Sequence, residues 1–352
     1  MSKILQVRST VKADASQYYR IELPSKYLRE KHGWTVDFLP INEPFNHDIV
    51  VFNRFYDGDI TPIVDIARKF GSKIVYEIDD WLLNIPRVNP ITKEVTEFDS
   101  VKQLMQVADL ITCTTNELKA EIDKFTGKSD KTVVVPNALH MPDWKLRPKK
   151  RSRLCVGFMG SITHYGDLQI ALQAIEALQQ EIDFDFETMG LGVGKTLDNF
   201  VDTPNHPFVQ AVLKTVARTN KLKNYKNYGW VRNEDFAQVL SGLDWDIGLC
   251  PLEDNPFNRS KSALKYYSYA VVGTATIATK WPPYQDEAIY TVKNRFRDWY
   301  THLKRLLLDE KFREELTAQQ RDWVLRNRSL DAVSPLWDSA FRKLINADNQ
   351  HL

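Results

Sequence analysis

Hydrophobic and polar positions along the chain change period repeatedly. Short β-branched runs at residues 4–7, 36–39, 49–52, 73–78, 110–112 and 132–135 read as strands, and most of the stretches between them are amphipathic at helical spacing. Such alternation predicts an α/β fold, a parallel sheet with helices on both faces. The pattern stops at Val135-Pro136-Asn137. Residues 142–153 then carry Lys145, Arg147, Lys149, Lys150, Arg151 and Arg153 with two prolines, the composition of an exposed linker.

A second alternating series follows. Strands are expected at residues 154–159, 184–189, 228–231, 246–249 and 275–278, with helices at 167–182, 234–243 and 263–271. From Trp299 onward the chain reads as helical, with Leu303, Leu306, Leu307, Leu316, Trp323 and Trp337 spaced for burial. The expected organisation is one doubly wound domain over residues 1–141, a linker over 142–153, a second domain over 154–330 and a helix over 331–352 packing back on the first domain. Two such domains form a cleft between the carboxyl ends of their strands, where these sheets bind ligands.

Composition narrows the class. A length of 352 residues suits two domains of about 150 residues each. With 47 basic against 46 acidic residues, the net charge of +1 argues for no particular partner. Three cysteines without CxxC spacing exclude a disulfide framework and a cysteine zinc site, and a reducing compartment is expected. The start lacks a leader's apolar core and no run approaches the roughly 18 apolar residues of a membrane span, so a cytoplasmic location is expected, in a host cytoplasm if the chain is viral. No HxH, HExxH or GxSxG pattern occurs, and no metal is assigned from histidine spacing.

Residues 189–196, Met-Gly-Leu-Gly-Val-Gly-Lys-Thr, follow a strand and look like a nucleotide-phosphate loop. The spacing fails, because Met189 stands where the first glycine of that loop belongs and Pro204 and Pro207 interrupt the helix that should follow. The denser signal is Cys250-Pro251-Leu252-Glu253-Asp254-Asn255-Pro256-Phe257-Asn258-Arg259-Ser260-Lys261-Ser262-Ala263-Leu264-Lys265. A buried strand here runs into a polar loop and a helix expected to begin near residues 260–262, with Lys261 and Lys265 four apart on one face. Free N–H groups at a helix N-terminus plus two lysines make a seat for a diphosphate. A capped surface helix with solvated lysines has the same spacing.

This segment resembles the donor-site signature of GT-B glycosyltransferases, of the retaining glycosyltransferase family 4 type. Four further stretches agree with that group, in order: Tyr76-Glu77-Ile78-Asp79-Asp80, Ala108-Asp109-Leu110-Ile111-Thr112, Val135-Pro136-Asn137, and Gly160-Ser161-Ile162-Thr163-His164-Tyr165-Gly166-Asp167-Leu168. The resemblance spans about residues 3–325 and implies two Rossmann-like domains, the first for the acceptor and the second for the donor. It implies transfer of a sugar from a nucleotide-diphosphate sugar, expected to be a UDP-sugar, to an acceptor hydroxyl, with no required cofactor. Glycans, lipid-linked sugars and hydroxymethylated pyrimidines of phage-type DNA are the candidate acceptors. A non-catalytic sugar-nucleotide or nucleic-acid binding protein is the rival reading.

Site residues follow from the same resemblance. Asp79, Asp80, Lys261 and Lys265 are the expected catalytic residues. Gly160, Ser161, His164, Glu253, Ser262 and Ser268 are expected to bind the donor, and Tyr18, Tyr19 and Arg20 the acceptor. Each has a plainer alternative: Asp79 and Asp80 as a turn cap or as ligands of a divalent metal, His164 as a surface histidine, Glu253 as a solvated carboxylate, and Tyr18 and Tyr19 as core. Three departures stand out. Ser268 replaces the glutamate that relatives use on the ribose, residues 9–20 lack glycine, and Ser161 and His164 stand where relatives carry an Arg/Lys pair. Lys214, Arg218, Lys221, Lys223 and Lys226, interleaved with Tyr225 and Tyr228, are a candidate nucleic-acid track together with the basic linker.

Overall fold

A computed structural model of the chain describes residues 2–8, 15–40, 45–55, 58–86, 98–146, 151–191, 205–285 and 287–347. The first series of apolar runs forms β1 (Lys3–Arg8), β2 (Thr35–Phe38), β3 (Ile49–Asn53), β4 (Lys73–Ile78), β5 (Leu110–Cys113) and β6 (Thr132–Val134). These strands pair in parallel in the order β2-β1-β3-β4-β5-β6. The second series forms β7 (Cys155–Met159), β8 (Asp185–Met189), β9 (Tyr225–Asn227), β10 (Ile247–Cys250), β11 (Ala275–Thr279) and β12 (Tyr290–Val292), parallel in the order β12-β11-β10-β7-β8-β9. Central strands such as β3 and β10 are buried at every position, because helices cover both faces. The α/β class with two doubly wound sheets is therefore as the sequence pattern predicts.

Winding reverses once in each sheet, between β1 and β3 and between β7 and β10. Loops leaving those strands at their carboxyl ends open a crevice, and both crevices face the same cleft. Beneath it the chain crosses between domains twice. The crossings are tied together where Leu139 N–H donates to the Arg328 carbonyl at 2.8 Å and Leu330 N–H to the Leu139 carbonyl at 3.0 Å. Helix Leu330–Asn346 then lies against helix Leu23–His32 of the first domain. Trp34 Nε1 donates to Asp338 Oδ1 at 2.7 Å, and Trp337 and Phe341 are buried there. No helix among the described residues is long and apolar enough to cross a membrane.

Two elements differ from the sequence expectation. The strand expected at residues 228–231 lies earlier, as β9, because Gly229 at φ +65° turns the chain out of the ladder. Trp230 is consequently 70% exposed. The helix expected to start near residues 260–262 is two helices. Asn255 accepts the Asn258 N–H at 2.8 Å and caps a short helix at Pro256–Arg259, residues 260–263 are not helical, and the next helix is Leu264–Val271. Lys261 and Lys265 therefore do not share a helix face.

Candidate active site

The second domain contributes the loops after β7 and β10. His164 closes a tight turn, Ile162–His164, that runs into helix Tyr165–Leu178, and its Nδ1 lies 2.6 Å from Asp167 Oδ2. Asp167 Oδ1 accepts the Glu253 N–H at 2.7 Å, so this one carboxylate joins both loops. Burial alone would raise the Asp167 carboxyl, but its hydrogen bond to His164, the charge of Lys265 and the Glu253 N–H hold it below the ordinary range. Burial and the nearby Lys265 depress His164 to about 4. A neutral imidazole beside an ionised carboxylate donates through Nδ1, which leaves Nε2 as an acceptor. His164 is thus built to accept a hydrogen bond through Nε2 rather than to donate one there.

Protonation of His164 also gives a stability prediction. Its folded value of about 4 lies below the 6.5 of a free histidine, so between these limits the unfolded chain binds a proton that the folded chain does not. Stability is full above pH 6.5 and is expected to fall as the pH drops toward 4. A His164→Gln variant should lose less stability across this window, as denaturant titrations at stepped pH would show. Identical pH profiles for the two proteins would contradict the assigned protonation state.

Lys265 sits in the first turn of helix Leu264–Val271, whose N-cap residue, Ala263, offers no side-chain cap. Its Nζ lies 4.7 Å from the centre of the Phe158 ring, and burial lowers its pKa. Lys261 precedes the helix and reaches over the Phe257 ring, at 4.4 Å, to Asp80 Oδ1 in the first domain, at 3.4 Å. Nearby, Asn137 Nδ2 donates to Ser262 Oγ at 2.8 Å and the Thr115 hydroxyl to the Ser260 carbonyl at 3.0 Å. Residues 260–262 are thereby held against the ends of β4, β5 and β6.

Across the cleft, Asp79 and Asp80 follow β4. Arg54, directly after β3, donates through Nη1 to Ser16 Oγ at 2.7 Å and lies 3.5 Å from both Asp79 Oδ1 and Asp80 Oδ2. The Ser16 hydroxyl donates in turn to Asp79. Burial would raise the Asp80 carboxyl, yet Lys261 and Arg54 outweigh it and keep the group below the carboxylate range. Positive charge beside the aspartates thus comes from side chains. Among the described residues no group of three or more His, Cys, Asp or Glu side chains could hold a metal ion. Arg54, Asp167, Asn137 and Thr115 have no assigned role in the sequence reading. For Arg54 the available signal is its place, the first residue past a fully buried strand at a switch point.

Several expected site residues are brought to the cleft and others are not. Glu253 packs against the first turn of helix Tyr165–Leu178, where a Cβ on Gly166 would meet its Oε1 at 2.8 Å. A Cβ on Gly160 would meet His164 Cβ at 2.9 Å, and one on Gly190, at φ +86°, would lie 2.6 Å from the Gly160 carbonyl, so both turns call for glycine. The Ser161 hydroxyl pairs with Thr163 at 2.7 Å. Ser268 is 1% exposed and donates to the Leu264 carbonyl at 3.0 Å, so it turns into its own helix and not toward a ribose.

Arg20 is corrected from acceptor residue to core residue. It is 2% exposed, pairs with both oxygens of Glu77 at 2.5 and 3.2 Å, and donates to the Val135 carbonyl at 2.7 Å and Asn137 Oδ1 at 3.2 Å. Tyr19 is likewise buried, while the Tyr18 hydroxyl reaches Asp143 Oδ2 at 3.3 Å beside a small cavity of about 20 Å³ that both tyrosines line. Three arginines of the basic track are ion-paired. Arg151 and Arg153 pair with Asp183, Asp185 and Glu187, Arg218 pairs with Glu176, and Tyr225 stacks on Phe186. Residues 9–14, 147–150 and 192–204, with most of the glycine run and part of the linker, lie outside the described residues.

No family model and no curated protein matches the sequence. Solved structures do match the fold. HepE from Anabaena, crystallised with UDP and glucose, superposes with a TM-score of 0.68 at 12% identity over 97% of this chain and 100% of its own. Sucrose-phosphate synthase from Thermosynechococcus elongatus gives 0.67 at 12% identity over 99% and 100%. An alpha-glucosyltransferase crystallised with UDP and a 13-mer DNA containing an HMU base gives 0.65 at 10% identity over 98% and 100%. With two six-stranded parallel sheets facing one cleft, and a likeness that runs through nearly the whole chain, this protein has the GT-B glycosyltransferase fold.

Proposed function

We propose that this protein is a retaining glycosyltransferase of the family 4 type, which moves a sugar from a UDP-sugar to an acceptor hydroxyl. One observation carries the reading: Lys261, Lys265 and the uncapped start of helix Leu264–Val271 converge with His164 at the carboxyl ends of the second sheet, facing Asp80. In the transfer, the bond from the anomeric carbon to the diphosphate breaks and a bond to the acceptor oxygen forms on the same face. The acceptor's proton passes to the departing phosphate. Negative charge grows on the diphosphate as it leaves, and fixed cations and N–H dipoles aimed there lower the barrier. His164 Nε2 orients the sugar by accepting a hydrogen bond from one of its hydroxyls. HepE and the alpha-glucosyltransferase, both crystallised with UDP, support the choice of donor.

Hydroxymethylated DNA is the acceptor favoured by the second of those likenesses. Ion pairing of Arg151, Arg153 and Arg218 weighs against a track for the DNA backbone along that face. A panel of UDP-sugars incubated with hydroxymethylated DNA, a lipid-linked sugar and small glycans, read by mass spectrometry, tests the proposal. The expected result is one sugar added to one acceptor class with release of UDP. Binding of UDP with neither transfer nor hydrolysis of any donor would favour the non-catalytic binding protein.

A further inference from the structure

We propose that Asp80 and the donor diphosphate compete for Lys261, so that donor binding frees Asp80 Oδ1 for the acceptor hydroxyl. The inference rests on the donor reading above and adds its regulation. Lys261 Nζ and Asp80 Oδ1 are 3.4 Å apart, on opposite domains, with side chains only 22% and 15% exposed. In such a place a charge pair is screened less than on the open surface, and breaking it requires a substitute anion. A diphosphate is that substitute. Asp80 remains balanced after the exchange, because its other oxygen, Oδ2, stays beside Arg54 at 3.5 Å.

The mounting of the two lysines fits the exchange. Lys265 is fixed on a helical turn and stacked on Phe158, whereas Lys261 stands on the non-helical residues 260–263. Hydrogen bonds from Thr115 to the Ser260 carbonyl and from Asn137 to the Ser262 hydroxyl hold that segment. Lys261 can therefore re-aim by its own side-chain rotations while the cleft wall stays in place. Until it does, the acceptor-side carboxylate is occupied and the phosphate seat has one lysine fewer.

Calorimetric titration of UDP into the wild type, Asp80→Asn, Lys261→Met and the double variant tests the competition. Removing the rival anion is expected to tighten UDP binding about tenfold, or ~1.4 kcal/mol, in Asp80→Asn. Lys261→Met should bind more weakly, and the double variant should match it, since Asp80 then has no lysine to hold. Wild-type binding of UDP with no gain in Asp80→Asn overturns the competition alone. So does a gain that persists in the double variant, which would mark a general field effect. Failure of the wild type to bind UDP overturns the donor reading, and the exchange with it.

Discussion

Lys265→Met is expected to lower turnover by about 10²- to 10³-fold, the usual loss when a preorganised group facing a developing anion is removed. Lys265 is half-buried beside Phe158 and Cys250, where few waters can take over its role. The loss should fall on kcat more than on KM, because charge on the diphosphate is greatest as the sugar departs. Methionine keeps the aliphatic stem and removes a charge whose burial is unfavourable, so the thermal midpoint should stay level or rise. Steady-state rates and melting curves on the same preparation check both statements. Unchanged turnover would remove Lys265 from the reaction.

Arg20→Met carries the largest expected cost in stability, about 3–5 kcal/mol, the range for stranding one partner of a buried ion pair. Among the described residues, Glu77 would keep a carboxylate with no exposure and only Thr112 as a remaining side-chain donor. Glu77→Gln should cost less, since the amide still accepts from Arg20. Replacing both residues with Arg20→Met and Glu77→Leu should recover most of the loss. Denaturant midpoints of the four proteins give the comparison, and equal midpoints would show that the pair is peripheral. Because Arg20 also donates to Asn137, which bonds Ser262 across the cleft, the single variant should disturb donor affinity as well.

What the sequence reveals and conceals follows from local physics. Fully buried parallel strands such as β3, β4 and β10 are legible because both faces must be apolar, and strand ends then mark the cleft. Asp79, Asp80, His164 and Lys261 are placed beside the cleft by that rule together with a motif resemblance. Arg20 is misread as an acceptor residue because it lies in a wide helical turn, Tyr18–Glu22, with an extra residue per turn that rotates the following side chains away from the direction ordinary helical spacing implies. Arg54 adopts φ +42°, a left-handed conformation that no residue type at that position announces, and it is this turn that leads the chain off β3 beside Ser16 and the aspartates. Lys261 is mispaired with Lys265 because Asn255 and Pro256 start a helix early and exhaust it before Lys261. Ser268 is legible as a departure from the motif that the segment resembles, while its inward hydrogen bond depends on helix rotation.

A structure of the protein soaked with UDP tests the central claim most directly. The β-phosphate oxygens are expected within roughly 3 Å of Lys265 Nζ and of the first N–H groups of helix Leu264–Val271, with Lys261 drawn off Asp80 toward them. Nucleotide seated away from that helix, or no nucleotide bound at millimolar UDP, would contradict it.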